Sequence, residues 1–308
     1  MNPLERIIEE PDADLEVANA YSFSMDRVFV ALQARSETLQ FSASALLRVE
    51  IEKGQVRYQV DQVEAFGVHD FLSINPDLHF TLLSGGYVVE WNNGEITKNG
   101  FASRTYHNKI RTRDRRTPII FGKKGEAYEM FEGAYQKLNT HTQEQLYDMH
   151  FLTSESGYAC GHYGTVLKWD PDGFSPIDVE STEPFQAVHQ KMDGTLLLGG
   201  LDGNGLVLKS DEVTLVSGSE GEIHAITVFQ GEEYWGDDTF GVFTRRGNEF
   251  VPKFETEGAF NLNATADVLT VVIGDVVYLF DGREWIQLHV SPDPNAMIKR
   301  VPLDFLPS

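Results

Sequence analysis

The chain has 308 residues, 41% of them hydrophobic, and a formal net charge of −22, a composition that supports a large core, excludes a disordered chain, and opposes non-specific nucleic-acid binding, which requires basic surface. No apolar run approaches the roughly 20 residues of a membrane helix, and the acidic start MNPLERIIEEPDADLEV lacks the basic and apolar segments of a secretory signal. The lone cysteine, Cys160, excludes an internal disulfide, so the chain is expected in a reducing, cytoplasmic setting with no membrane partner.

In chain order, residues 3–10 (PLERIIEE) read as one or two helical turns, and β-rich runs then follow one another to about residue 290. Short loops ending in glycine recur at Gly54, Gly94, Gly133, Gly173, Gly247 and Gly282, with Glu212 in the one slot that lacks glycine. Their successive spacings are 40, 39, 40, 39, 35 and 35 residues. Glycine suits these slots because tight hairpin turns often need positive φ. Before each loop stands a strand-like run: ALLRVEI, YVVEW, EAYEM, TVLKW, LVLKS, GVFTR and VVYLF. Upstream of those come RVFVALQ, HFTLLSG, TPIIFG, GYACGHYG, TLLLGGL, EEYWGDD and VLTVVIGD, often joined to them through a glycine, at Gly86, Gly125, Gly164 and Gly205. Another run follows each loop, from QVRYQV to EWIQLHV. These runs are too continuously apolar for strands with one wet face, and burial on both faces explains them.

Four short strands repeated seven times predict an all-β, seven-bladed β-propeller of four-stranded antiparallel blades, in one domain spanning 1–308. The blades are placed at 17–60, 66–99, 101–140, 146–181, 184–217, 222–257 and 259–290, with residues 15–24 available as a closing strand. Thr142–Gln145 reads as a capping box opening a short helix before blade four. Residues 291–308, with four prolines, read as an extended tail.

The stretch GYACGHYGTVLKWDPDG at 157–173 resembles the repeat of bacterial-neuraminidase-repeat-like propellers, which include sialidase-type and photosystem-assembly-factor-type domains, and TLLLGGLDGNGLVLKSDE at 195–212 is a weaker copy. The resemblance implies architecture and carries no activity. No aspartate box is intact, an arginine cluster for a sialic carboxylate cannot be placed, and Trp169-Asp170 is a single occurrence of the WD40 dipeptide.

Aligning the blades on their loops exposes a polar column in the first strands: Ser22, Asp70, His107, Asp148, Gln186, His224 and Asn261, each flanked mostly by apolar residues. Period-two alternation points them one way, toward a central channel. A wet channel accounts for such a column. The functional reading is a ligand site at the channel mouth, where two carboxylates and two imidazoles could hold a divalent metal or exchange protons.

Lys109, Arg111, Arg113, Arg115 and Arg116, with Lys123 and Lys124, form a basic cluster expected to be balanced by nearby acids. Cys160, between Ala159 and Gly161, reads as a core thiol. Tyr234, Trp235, Asp237, Asp238 and Phe240 gather at the blade-six turn, where either partner anchoring or blade packing would explain them. No phosphate-binding loop, nucleophile elbow, HExxH or CxxC occurs.

The sequence therefore points to a binding module without catalysis or cofactor: a scaffold, or a neutralising partner of a basic protein such as the immunity protein of a toxin. Its platform is expected at loops joining second and third strands, Gly161–Gly164, Leu201–Gly205 and Gly236–Gly241, through His162, Tyr163, Asp202, Asn204, Asp237, Asp238 and Phe240. The alternative is an enzyme or small-ligand binder, such as a hydrolase or lyase acting on a sugar or lactone at the channel mouth.

Overall fold

The computed structural model describes residues 2–84, 86–100, 107–170, 173–200, 202–210, 212–256, 258–291 and 297–301. Its strands form seven consecutive antiparallel sheets, six of four strands and the last of five, each ordered as its strands occur in the chain. This is the expected seven-bladed propeller. The chain divides into two compact units, Met1–Asn99 with Asn263–Ser308, and Gly100–Leu262. The first holds blades one, two and seven; the second holds blades three to six.

Three of the glycine loops close hairpins with positive φ at both central residues: Lys53-Gly54, Asn93-Gly94 and Glu132-Gly133, with φ of 48–50° followed by 79–87°. Turns of this hand match the twist of the strands they join.

In the second unit, alternate residues of one strand enter different cores. Leu196 and Leu198 pack with Cys160, Val166 and Val188, while Leu197 between them packs with Ile226, Trp235 and Phe250. Ala159 joins Phe121, Met149 and Trp169, while Cys160 next to it joins the other core. Each strand thus feeds the layers on both sides of its blade, which is why TLLLGG and GYACG read as unbroken apolar runs. Cys160 has no exposed surface, and burial pushes its thiol up. Tyr234 and Trp235 are buried as well; the Trp235 ring lies 5.1 Å from Phe250, which makes these two of the blade-six aromatics packing residues, whereas Phe240 stays exposed.

In the first unit a helix at Pro3–Ile8 packs Leu4 and Ile7 against blade one. Asn2 caps it, accepting from the Glu5 amide at 2.9 Å while Glu5 accepts from the Asn2 amide. The first strand of blade one, Asp14–Ser24, pairs locally, and its Val17 amide donates to Gly274 of blade seven at 3.0 Å.

Two expectations change. Thr142–Gln145 forms no helix; the Thr142 hydroxyl accepts from the Glu144 amide at 3.1 Å, and the Gln145 carbonyl is taken by the His162 amide, which leads the chain straight into a strand. The tail is not merely extended: Ile298–Val301 pairs with Trp285–Val290 as the fifth strand of blade seven. Tail residues 292–296 and 302–308 lie outside the described residues.

A close contact recurs through the second unit. The turn glycines between second and third strands, Gly125, Gly164 and Gly203, have φ of 63–68°. Gly203 replaces Gly205 in this role; Gly205 begins a strand and lies under Phe250 and Trp235. A Cβ on Gly125, Gly164 or Gly203 would stand 2.3, 1.9 or 2.1 Å from the carbonyl oxygens of Thr142, Ser181 and Ser219. Those oxygens belong to the linkers that cross to the next blade. Gly164→Ala combines strain with a backbone clash, and should cost well over about 1 kcal/mol in urea denaturation. Gly133→Ala, at φ 81° with open space around it, should cost about 1 kcal/mol. Equal losses would show that the contact with the linker contributes nothing.

Candidate functional site

Near its start, the first strand of six blades carries one residue that the second strand does not pair: Ala18, His69, Asn108, Tyr147, Gln186 and His224. Such a bulge re-aims side chains locally. It also corrects the polar column. Gln186 and His224 are bulge residues, Asp70 and Asp148 follow one, His107 precedes one, and Ser22 lies four positions beyond Ala18. These residues do not share one register position. Tyr106, which flanks His107, lies outside the described residues.

Several of these polar groups bond to the neighbouring blade. Asn263 donates to Asn19 Oδ1 at 2.7 Å and to the Ala20 carbonyl at 2.8 Å. Asn19 in turn donates to Asp70 Oδ1 and the Phe71 carbonyl, both at 3.1 Å. In the second unit Asp148 accepts from Arg111 at 2.7 Å and from the Val188 amide at 3.3 Å. Asp70 and His107 are 2% and 3% exposed; the His107 ring meets Tyr128 edge-on at 5.3 Å. Ser22 is buried, with its hydroxyl donating to the Arg27 carbonyl at 2.8 Å. Gln186 and Asn261 are half-buried.

His224 differs. Its Nε2 lies 3.3 Å from Glu222 Oε2 and 3.7 Å from Asp238 Oδ2. Burial lowers its pKa, and Lys109 adds to this, while the two carboxylates oppose it. Glu222 also raises the Tyr147 phenol, after burial, and Phe260 lies 5.3 Å from the imidazole. Sequence reading missed Glu222; its only signal is that it stands two residues before a histidine in a glycine-punctuated linker, SGSEGEIH.

The turns between second and third strands and the inter-blade linkers meet at one end of these blades, as the glycine contacts show. That end carries Asp178, Glu180, Glu183, Asp202, Glu220 and Glu222, with no lysine or arginine in residues 177–184, 202–204, 217–222 or 238–240. Tyr163 is 67%, Phe240 42% and Phe260 49% exposed there. His162 stands 4.0 Å from Tyr163 and 3.4 Å from Glu144. Asp202 is exposed and Asn204 half-buried; Leu201 lies outside the described residues.

Asp237 is the exception among the candidate partner residues, with no exposed surface. One carboxylate oxygen accepts from the amides of Thr239 and Phe240, both at 2.7 Å. The other accepts from the Ser219 hydroxyl and the Gly221 amide. It ties the blade-six turn to the preceding linker and offers nothing to a partner's surface.

Two members of the basic cluster, Arg111 and Arg113, are paired within blades three and four, while Arg115, Arg116, Lys123 and Lys124 are exposed. Arg113 forms a two-pronged pair with Glu129 at 2.6 and 3.0 Å, and its guanidinium lies 5.2 Å from the Trp169 ring. Together with Lys137 and Asn139, these residues line a groove of about 670 Å³.

No family model and no curated protein matches the chain. Among solved structures it is similar to the WD40 β-propeller domain of Doa1, at 12% identity and a TM-score of 0.70, over 89% of this chain and 99% of that one. It is also similar to the computationally designed Ika8 protein, at 12% identity and a TM-score of 0.67, over 96% of this chain and 98% of that one. At such identities the likeness extends to the fold alone. Among the described residues, no helix is long and apolar enough to cross a membrane.

Asp237→Ala should destabilise the fold by more than about 3 kcal/mol, because several donors lose their acceptor, at about 1–3 kcal/mol each where buried. Asp202→Lys should stay within about 0.5 kcal/mol. Urea denaturation of the two variants measures the contrast, and similar losses would contradict it.

Two half-buried, stacked histidines supply a second test. His150 accepts from the Gln190 amide at 3.0 Å and stacks on His189 at 4.0 Å. Burial, with Arg111 adding, pushes His150 down to about 4. Burial and His150 push His189 down to about 3, against Asp148 and Glu233. Unfolded histidine titrates near 6.5, so below that pH the unfolded chain binds more protons than the fold. Stability should therefore be full above about pH 6.5 and fall as the pH drops toward about 4. His189→Phe, which keeps a stacked ring, should flatten that slope; an unchanged slope would show that His189 does not carry it.

Proposed function

We propose that this propeller is a non-catalytic binding module whose partner is a protein with a basic surface, and that it docks through the linker end of blades four to six. Propellers commonly mediate protein binding or scaffolding. The single observation that supports the reading is the pairing, at that end, of exposed Tyr163, Phe240 and Phe260 with carboxylates unrelieved by any lysine or arginine in the linkers and turns named above. Exposed aromatic rings are frequent binding anchors, and the acids supply the long-range field that draws a positive surface in and repels phosphate backbones. A net charge of −22 extends that field over the whole chain.

A scaffold and a neutralising partner, as an immunity protein is to a basic toxin, are the two forms this reading takes. A reducing, cytoplasmic setting belongs to the proposal. The blade-four likeness to neuraminidase-repeat propellers adds no substrate, because no residue set for sugar recognition comes with it. No cofactor is part of the docking reading.

Affinity capture followed by kinetics on the recovered partner tests it. Asp202→Lys, combined with Glu180→Lys and Glu220→Lys, should slow association and weaken its salt dependence. Tyr163→Ala with Phe260→Ala should instead speed dissociation, at about 1–2 kcal/mol or more for each anchor. A partner bound equally well by both variants would remove this end as the interface. Turnover of a sugar or lactone by the purified protein would replace the reading with the enzymatic one.

A further inference from the structure

We infer that Glu222, His224 and Asp238 form a binding site for a divalent transition-metal ion of the zinc type. The inference goes beyond the docking reading and does not depend on it.

The donor set is one imidazole nitrogen and two carboxylate oxygens, which suits ions of borderline softness such as Zn(II). The three donor atoms all lie within 4.8 Å of one another. Zinc bonds of about 2.0–2.2 Å at tetrahedral angles hold neighbouring donors about 3.4 Å apart. His224 Nε2 stands at 3.3 Å from one carboxylate and 3.7 Å from the other. These separations match the edges of such a polyhedron.

The ligands are brought together by backbone that the fold already fixes. Glu222 ends the linker from blade five, His224 is the bulge of the first strand, and Asp238 begins the turn after the second strand. Asp238 Oδ1 accepts from the Glu222 amide at 2.8 Å and from the Thr239 hydroxyl at 2.9 Å. That leaves Oδ2 turned toward the imidazole, in the way that an outer shell of hydrogen bonds orients a metal-binding carboxylate. Next to it, buried Asp237 holds the same turn rigid through the Thr239 and Phe240 amides. Phe260 flanks the ring of His224. The side chains of Glu222 and Asp238 remain 40% and 26% exposed, so an ion can enter from solvent and keep at least one coordination position for water or for another group. Three protein ligands with an open position are the arrangement of zinc sites that stay available to further ligands.

Titration calorimetry of the chelator-stripped full chain with Zn(II) tests the site. One ion per chain is expected. His224→Ala and Glu222→Gln should each weaken binding at least about tenfold, whereas Asp202→Asn, an exposed carboxylate in the neighbouring blade, should leave it unchanged. Co(II) should give a visible absorption band that His224→Ala removes, and the urea midpoint of each variant confirms that the fold persists. Absence of Zn(II) binding would overturn the site. So would Zn(II) affinity that survives His224→Ala, or Mg(II) binding as tightly as Zn(II), because either would reduce the cluster to ordinary acidic surface.

Discussion

Each blade opens on its first strand, and in six blades the chain leaves one residue out of the ladder in the first half of that strand. Much of the site's geometry follows from this bulge. It separates the residue that faces the linker end from those committed to packing between blades. In blade six it delivers His224 to the turn, while Ile223 before it and Ile226 beyond it go to the core shared with blade five. In blade four it delivers Tyr147 to the same end as His162, while Leu146 and Met149 pack with blade three. The turn glycines complete the arrangement by letting each linker lie directly on the preceding turn.

The repeat was legible because its punctuation has a backbone cause. Positive φ at Gly54, Gly94 and Gly133 sets the hairpins, and two-sided burial sets the apolar runs, so blade number and strand count could be read from spacing. The polar column was not legible in register. A bulge shifts every later side chain to the opposite face, and no residue type marks it: alanine, histidine, asparagine, tyrosine and glutamine all occupy the position. Counting from the glycine loops therefore put Ser22 beside residues that lie elsewhere along their strands. Asp237 and Asp238 illustrate a related limit. Adjacent and chemically identical, one is enclosed as a turn-fixing acceptor and the other faces a histidine; only the fold separates them. The fifth strand at Ile298–Val301 was hidden by the prolines around it.

The placement of polar groups divides labour within the chain. Asn19, Asp70, Asp148 and Asn263 use their hydrogen-bonding capacity to join one blade to the next, where an unsatisfied polar group would be costly. Apart from Asp237 and Asp238, the acids and exposed aromatics of the linker end have no such obligation. Asp202, Glu180 and Glu220 are exposed, and Tyr163, Phe240 and Phe260 leave large rings in solvent. Side chains free of structural duty, held on a rigid backbone, are what a recognition surface requires.

Hydrogen exchange of the protein alone and in complex with its recovered partner tests that division most directly. The account predicts added protection at residues 162–164, 177–184, 202–204, 217–222 and 238–240, with the hairpin turns at 132–133 and 230–231 unchanged. Protection confined to those hairpin turns, with the linkers exchanging as they do in the free protein, would contradict it.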